Sequence, residues 1–374
     1  MFSILKKINV DWYIVGALIP IIAFSLLTMN SFTEERDLAT RQLIFAFISF
    51  GVFFAFSFID FRFLRRTYVI VTLYAGSLLA LSTLFVIGHV AKGAQSWINV
   101  GLFSIQPADP VKLVIVLLLA KYFSRRHIEI AHIRHIIVSG IYAAIVFLLV
   151  ALQPDFGSAI TIFCIWFGMV LVSGISKKHL ALVFCIGALT FACLWGFVFK
   201  PYQKARIMNF LHPMADVRGT GYNAYQAMIT VGSGQAFGKG IGYGTQSRLE
   251  FLPEHETDFI FAAFAEEWGF VGVIILFILY AVIIGRIIVW AVRGETNFET
   301  LFAVGLAVFF MTHLTINIGM NIGIMPVTGI PIPFMSYGGS HLLTEMAGLG
   351  ILMGMKRYSR ATHRDVIHNE FVGA

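Results

Sequence analysis

Long apolar runs, broken at intervals by short polar clusters, make up most of the chain. Ten of them have the sustained hydrophobicity of bilayer helices: 12–30, 42–59, 67–87, 110–123, 136–152, 157–173, 179–199, 259–285, 300–324 and 339–355. None shows the strand-like alternation of a β-barrel. A helical span needs about 20 apolar residues, so the run at 110–123 is short and either tilts little or extends into a loop. The pattern predicts an all-α polytopic membrane protein of about ten transmembrane helices. It forms a single integral membrane domain over 1–374, with a long loop at 200–258 between helices seven and eight and a tail at 356–374.

Composition supports this. Of 374 residues, 58% are hydrophobic and 13% charged, where soluble domains carry about 25% charged residues. Mean hydropathy is +0.82. Soluble, disordered and disulfide-framework classes are excluded. Cys164, Cys185 and Cys193 all lie in apolar runs, without metal-ligand spacing. The net charge of +7 needs no nucleic-acid partner, because no stretch interleaves basic and aromatic residues. Lys6 and Lys7 precede the first run without a small-residue cleavage site, so this run reads as a retained helix and not a signal peptide.

Basic residues set the orientation. With a cytoplasmic N-terminus, the inner segments hold Lys6, Lys7, Arg62, Arg65, Arg66, Lys121, Arg125, Arg126, Arg134, Lys177, Lys178, Arg286, Arg293, Lys356, Arg357, Arg360 and Arg364. Most of the remainder fall in the single long loop (Lys200, Lys204, Arg206, Arg218, Lys239 and Arg248), and long loops weigh little in such counts. Both termini are therefore expected in the cytoplasm. The unusual polar residues then fall outside, in 93–110, 153–157, 200–258 and 325–340. Nucleotides are scarce on that face and the chain has no P-loop, so either chemistry there uses a substrate activated beforehand and carried by the membrane, or the protein transports something.

Asp258 stands at the mouth of the eighth helix, where an ionisable group is a functional candidate. It reads either as an acid facing a polar cavity or as an N-cap or first-turn acid. Glu266 follows about 80° further round the helix, so both could face one cavity. Asp109, Pro110 and Lys112 open the fourth helix. Lys112 reads as a snorkelling lysine or as a cation held at depth for an anion such as pyrophosphate. Gln153-Pro-Asp155-Phe-Gly is a tight turn that also puts Asp155 at the outer mouth. Arg206 and Lys204 are candidate phosphate contacts or plain solvated charges. The glycines of 232–244 could cradle a phosphate or mark turns, and 222–231 could form a short interfacial helix. Met325 to Ser340, with three prolines and three glycines among sixteen residues, reads as a re-entrant or cavity-lining loop. His341 and Glu345 follow it in an apolar helix. His313, Asn317 and Asn321 form a helical row that predicts interhelical hydrogen bonding.

In this order, Gln106-Pro…Lys112, Gln153-Pro-Asp155-Phe-Gly, Gly221-Tyr-Asn, Gly232-Ser-Gly…Gly238-Lys-Gly, Leu252-Pro-Glu…Thr257-Asp258-Phe-Ile and Pro326…Thr-Gly-Ile-Pro…Ser336-Tyr-Gly-Gly-Ser resemble the SEDS family (shape, elongation, division and sporulation) over nearly the whole chain. The short N-terminus and Ala347-Gly-Leu-Gly-Ile-Leu look more like the RodA branch than the FtsW branch. The resemblance implies a peptidoglycan glycosyltransferase of the bacterial cytoplasmic membrane, which polymerises lipid II on the outer face beside a class B penicillin-binding protein and other elongation-complex membrane proteins. It carries the essential aspartate to Asp258, the acid–lysine pair to Asp109 and Lys112, and a further aspartate to Asp155. On that basis Asp258 is expected as the catalytic base, and Lys112, Arg206, Lys204 and Arg248 as pyrophosphate ligands. Asp109, Asp155, Glu254 and Glu266 are expected as supporting acids, and Thr328, Pro331, Ser336, Gly338, Gly339 and Ser340 as the cavity loop. A divalent cation (Mg or Mn) on Asp109, Asp155 and Asp258 is a possible cofactor. The chain departs from the family pattern at Asp109-Pro110, Gln235 and His341. A lipid II flippase, or a non-catalytic scaffold, is the alternative class; a flippase would favour ionisable groups near the midplane and an internal repeat, whereas here the motif acids gather at one face.

Overall fold

The computed structural model describes residues 10–32, 36–91, 94–100, 103–125, 133–212, 219, 221–249 and 251–370. Lys6, Lys7, Arg126 and Arg218, named in the charge count, lie outside them.

Each of the ten apolar runs lies on a helix. In chain order these are α1 (Trp12–Asn30), α2 (Arg36–Phe58), α3 (Thr67–Ile87), α4 (Ala108–Ser124), α5 (Ile133–Leu152), α6 (Phe156–Val172) and α7 (Lys177–Cys193). Within the long loop lie α8 (Pro201–Leu211), α9 (Tyr222–Ser233) and the single turn α10 (Thr245–Arg248). The last three are α11 (Ile260–Val292), α12 (Asn297–Asn321) and α13 (Gly339–Glu370). Seven of the ten are long and apolar enough to cross a bilayer by length and composition alone. The 17-residue α6 is apolar but shorter, and α4 stays short at 17 residues. The segment read as a tail at 356–374 continues α13 to Glu370.

In sequence, the segment after α3 reads only as part of the outer loop at 93–110. It instead forms a three-stranded antiparallel sheet, β1 (His89–Ala91), β2 (Ala94–Val100) and β3 (Phe103–Ile105), in the order β1-β2-β3. Strands of three and seven residues are too short to register as alternation in a chain this apolar.

The core is built around α12. Two-thirds of its most apolar stretch is buried, against 6% for α7, which faces outward along nearly its whole length. α12 packs on α4, α6 and α11, α11 on α1, and α13 along α2. At the inner end, Asp11 caps α1 by accepting from Tyr13 N and receives hydrogen bonds from Arg286 Nη2 and Trp290 Nε1 of α11, each at 2.6 Å. Arg65 pairs with Glu299 at the start of α12. These pairs tie distant helices together at the face expected to be cytoplasmic.

α11 breaks at Gly269 (φ 66°). Two adjacent segments close on the break as a backbone ladder. Lys239 N donates to Glu266 O and Gly240 N to Glu267 O, while Phe270 N donates to Gln235 O and Val271 N to Ala236 O. Gly238 makes the approach possible, since a Cβ there would lie 2.1 Å from the Glu267 carbonyl oxygen. The break therefore leaves those backbone groups satisfied, as membrane depth requires.

Candidate functional site

Asp258 precedes α11, whose N-cap is Phe259 without a side-chain capping bond. The capping alternative raised from the sequence does not hold. Two loops fix the acid. In the first, Thr257 N and Phe259 N both donate to Glu254 O, and Glu254 Oε2 accepts from Thr257 Oγ1 at 3.1 Å. In the second, 322–338, Gly329 takes φ 76° and faces the Asp258 carboxylate: a Cβ on Gly329 would stand 3.4 Å from Oδ2. Gly329 is exposed and Asp258 half-buried, so the carboxylate sits at an open face of the bundle.

The polar row on α12 holds both loops. Asn317 Nδ2 donates to Asp258 O (3.0 Å) and Ile330 O (2.7 Å), Asn321 Nδ2 to Asp258 O (3.2 Å), and His313 Nδ1 to Pro331 O (3.1 Å). The row was expected to bond neighbouring helices. It bonds loop carbonyls instead, because the irregular backbone at 330–331 and 258 has acceptors that need partners. Ser336 Oγ donates to Thr257 O (2.7 Å) and Tyr337 N to Glu256 O (2.9 Å), joining the loops directly. Gln42 of α2, fully buried, donates from Nε2 to Ser336 O and accepts from Gly338 N. The sequence reading passed over Gln42; its one signal was an amide inside an apolar run. Gly339 opens α13 against the Phe45 ring of α2.

On α4, Asp109 and Lys112 are each 2% exposed and 3.1 Å apart. Lys112 is thus a cation held at depth and does not snorkel to water. Asp155 caps α6 by accepting from Ser158 N (3.0 Å) and accepts from Gln106 Nε2 (2.7 Å). Gln106 N in turn donates to Ser340 Oγ (3.3 Å), so Asp155 is linked to the start of α13. Arg206 of α8 lines a pocket with Pro154, Phe156, Phe199, Val327 and Thr328, which brings it beside both the Asp155 turn and the cavity loop.

Other expected residues are engaged elsewhere. Lys204 lies over the Trp195 ring, 5.7 Å from its centroid. Arg248 Nη1 donates to Gly242 O in its own loop. Glu266, fully buried, pairs with Lys239 (2.7 Å) and accepts from Gln246 N and Ser247 N. Its helical phase toward Asp258 is outweighed by the loop that folds back onto it. Among the described residues no three His, Cys, Asp or Glu side chains converge as metal ligands. Asp109 is committed to Lys112 and Asp155 to a helix cap and an amide, so the cation site suggested on Asp109, Asp155 and Asp258 is not assembled.

Two residues that the sequence reading left without a role complete the buried part. His341 Nδ1 lies 3.7 Å from Asp109 Oδ1, and its Nε2 lies 2.8 Å from Glu345 Oε1. Glu345 Oε2 accepts from Phe334 N at 2.8 Å. The arrangement thus offers an open carboxylate, a buried ammonium on the same end of the bundle, and a clamped loop between them.

The chain matches the cell cycle protein family FTSW_RODA_SPOVE over residues 4–361. It is 38% identical to the peptidoglycan glycosyltransferase MrdB of Escherichia coli K12 over 297 residues, covering 79% of each chain. It is 35% identical to stage V sporulation protein E of Bacillus subtilis 168 over 333 residues, covering 88% of this chain and 89% of the relative. Among solved structures, it superposes on a chain from a peptidoglycan synthase complex that coordinates polymerization and crosslinking, with TM-score 0.81 and 30% identity over 94% of this chain and 98% of the other. The rod shape determining protein RodA of Thermus thermophilus follows at TM-score 0.70 and 28% identity, over 93% and 97%. With a family match that covers nearly its whole length, and relatives that share its fold from end to end, the chain belongs to the FtsW, RodA and SpoVE family of cell cycle proteins.

Proposed function

We propose that the chain is a peptidoglycan glycosyltransferase that polymerises lipid II on the outer face of the bacterial cytoplasmic membrane, in the service of elongation and cell shape. The membership of the family and the curated name of the E. coli relative support the class. The observation that carries the site is the seating of Asp258: its carbonyl is held by Asn317 and Asn321, and its carboxylate faces the exposed Gly329.

In the proposed reaction Asp258 takes the proton of the acceptor sugar hydroxyl. That oxygen forms a bond to the anomeric carbon of the donor as the carbon–pyrophosphate bond breaks. The electron pair leaves with undecaprenyl pyrophosphate. Lys112, fixed by Asp109, supplies positive charge toward the leaving group, and Arg206 contributes from the pocket beside Thr328. Asp155 positions Gln106 and the start of α13. The energy resides in the lipid carrier, so no nucleotide site is needed. A class B penicillin-binding protein is the proposed partner, in keeping with the synthase complex on which the chain superposes.

The test is polymerisation of labelled lipid II by the purified protein, alone and with a cognate class B penicillin-binding protein lacking its transpeptidase serine. Glycan ladders that vanish with Asp258→Asn support the reading. Ladders undiminished in that variant sink the base assignment. No ladders from a folded, partner-bound wild type shift the weight to lipid II translocation, measured in vesicles.

A further inference from the structure

Beneath the outer loops lies a buried cluster contributed by three helices: Asp109 and Lys112 from α4, His313 from α12, and His341 and Glu345 from α13. All five are 6% exposed or less. The two imidazoles stack with centroids 4.9 Å apart. His341 stands between the two carboxylates, with one ring nitrogen toward Asp109 and the other toward Glu345.

The cluster is poorly satisfied as a hydrogen-bond network. His341 Nδ1 and Nε2, His313 Nε2 and Glu345 Oε1 all lack a well-aligned partner, although Nε2 and Oε1 of the His341–Glu345 pair are only 2.8 Å apart. Buried polar groups normally find aligned partners, and buried ion pairs with incomplete hydrogen bonding contribute little stability. Packing strength does not account for the cluster. Charge and position do. Asp109 and Glu345 are two acids against the single ammonium of Lys112. An imidazole placed between two carboxylates balances the group when it carries a proton on each nitrogen. Without it, the Lys112 charge is shared between two buried carboxylates, and less of its field reaches an anion outside.

We propose that His341 is a positioning residue for the transferase reaction: set between Asp109 and Glu345, it keeps Lys112 available to the leaving pyrophosphate and ties that charge to the loop beside Asp258. The tie runs through Glu345 to Phe334 N, within the loop that carries Gly329. His313, bonded to Pro331 O, backs the His341 ring. The proposal rests on the site reading given above and adds a residue that touches no substrate.

The experiment is steady-state polymerisation of lipid II by His341→Ala, His341→Gln, and each of these combined with Glu345→Gln, with Asp258→Asn alongside. Both single His341 variants are expected to lose kcat tenfold or more with KM within twofold, since what both lose is the charge balance, and the Gln variant keeps most of the volume. Each double variant restores one acid to one base and is expected to recover to within threefold of wild type. A merely structural role for His341 gives no recovery, because a second lesion is added. Wild-type kcat in His341→Gln, or double variants no better than the singles, overturns the proposal. If His341→Ala fails to fold, the Gln pair decides alone. Asp258→Asn reads the base assignment independently: its activity can fall while His341→Gln stays at wild type, and only the present proposal then fails.

Discussion

A general base in an enzyme is worth about a hundredfold or more in rate, and Asp258→Asn is expected to lose at least that from kcat while leaving the fold intact, since its backbone and not its carboxylate bonds Asn317 and Asn321. Gly329 gives a subtler probe. An added Cβ meets only Asp258 Oδ2, at ordinary contact distance, but the φ of 76° costs an L-residue roughly 1 kcal/mol or more. Gly329→Ala should therefore fold, melt slightly lower, and lose activity as the loop relaxes from its strained φ and shifts against the Asp258 carboxylate. A variant with wild-type kcat would show that the loop does not position the acid. Asp258 and Lys112 were readable from sequence, as charged residues at helix mouths within motifs. The roles of Gln42 and His341 were not, since a lone amide or imidazole in an apolar run marks a polar position but does not say what it bonds until its neighbours are known.

At the scale of elements, the outward loops act as parts of the helices they cover. Glu266 receives Lys239 Nζ, Gln246 N and Ser247 N, and Glu267 Oε1 accepts from Gly242 N, so two buried carboxylates hold the segment from Lys239 to Arg248, with Glu266 making most of the bonds. Removing one partner of a buried pair costs roughly 3–5 kcal/mol. Glu266→Gln keeps the size of the side chain but lacks the charge, and should lie toward the lower end of that range. Its expected signature is faster hydrogen exchange and proteolysis confined to 239–248; unchanged protection there would show that the ladder to α11 suffices. Hydropathy located the helices that carry the ten apolar runs, seven of them long and apolar enough to cross a bilayer, because shelter from water is written in most residues of a run, whether lipid or neighbouring helices provide it. It missed the β1–β3 sheet, because strands of three to seven residues leave no such sustained mark. It also put Glu266 on the Asp258 face, because a helical wheel cannot see a loop that returns to the helix from another part of the sequence.

Across the whole molecule, the two ends of the bundle are built differently. The outer end is stitched largely through backbone carbonyls and amides, with buried charged groups such as Glu266 and Asp109 beneath them, and the inner end by charged side chains that join one helix directly to another. Asp11 joins α1 to α11 through Arg286 and Trp290, and the guanidinium also lies 4.9 Å from the Tyr13 ring centroid. Asp11→Ala leaves Arg286 without its acid and is expected to cost about 3 kcal/mol, read as a lower melting temperature in detergent with kcat near wild type at permissive temperature. Loss of kcat without loss of stability would mean that the inner staple reports to the outer site.

The break at Gly269 bears on how the protein is made. When α11 leaves the ribosome it carries Glu266 and Glu267 carbonyls and Phe270 and Val271 amides whose partners lie some thirty residues back, between Gln235 and Gly240. An interrupted helix with open backbone groups is costly in lipid. Until the segment from Gln235 to Gly240 docks, Phe270 N and Val271 N can donate to Glu266 O and Glu267 O as in an unbroken helix, so the break at Gly269 need open only as the outer segment, synthesised first, comes to replace those bonds.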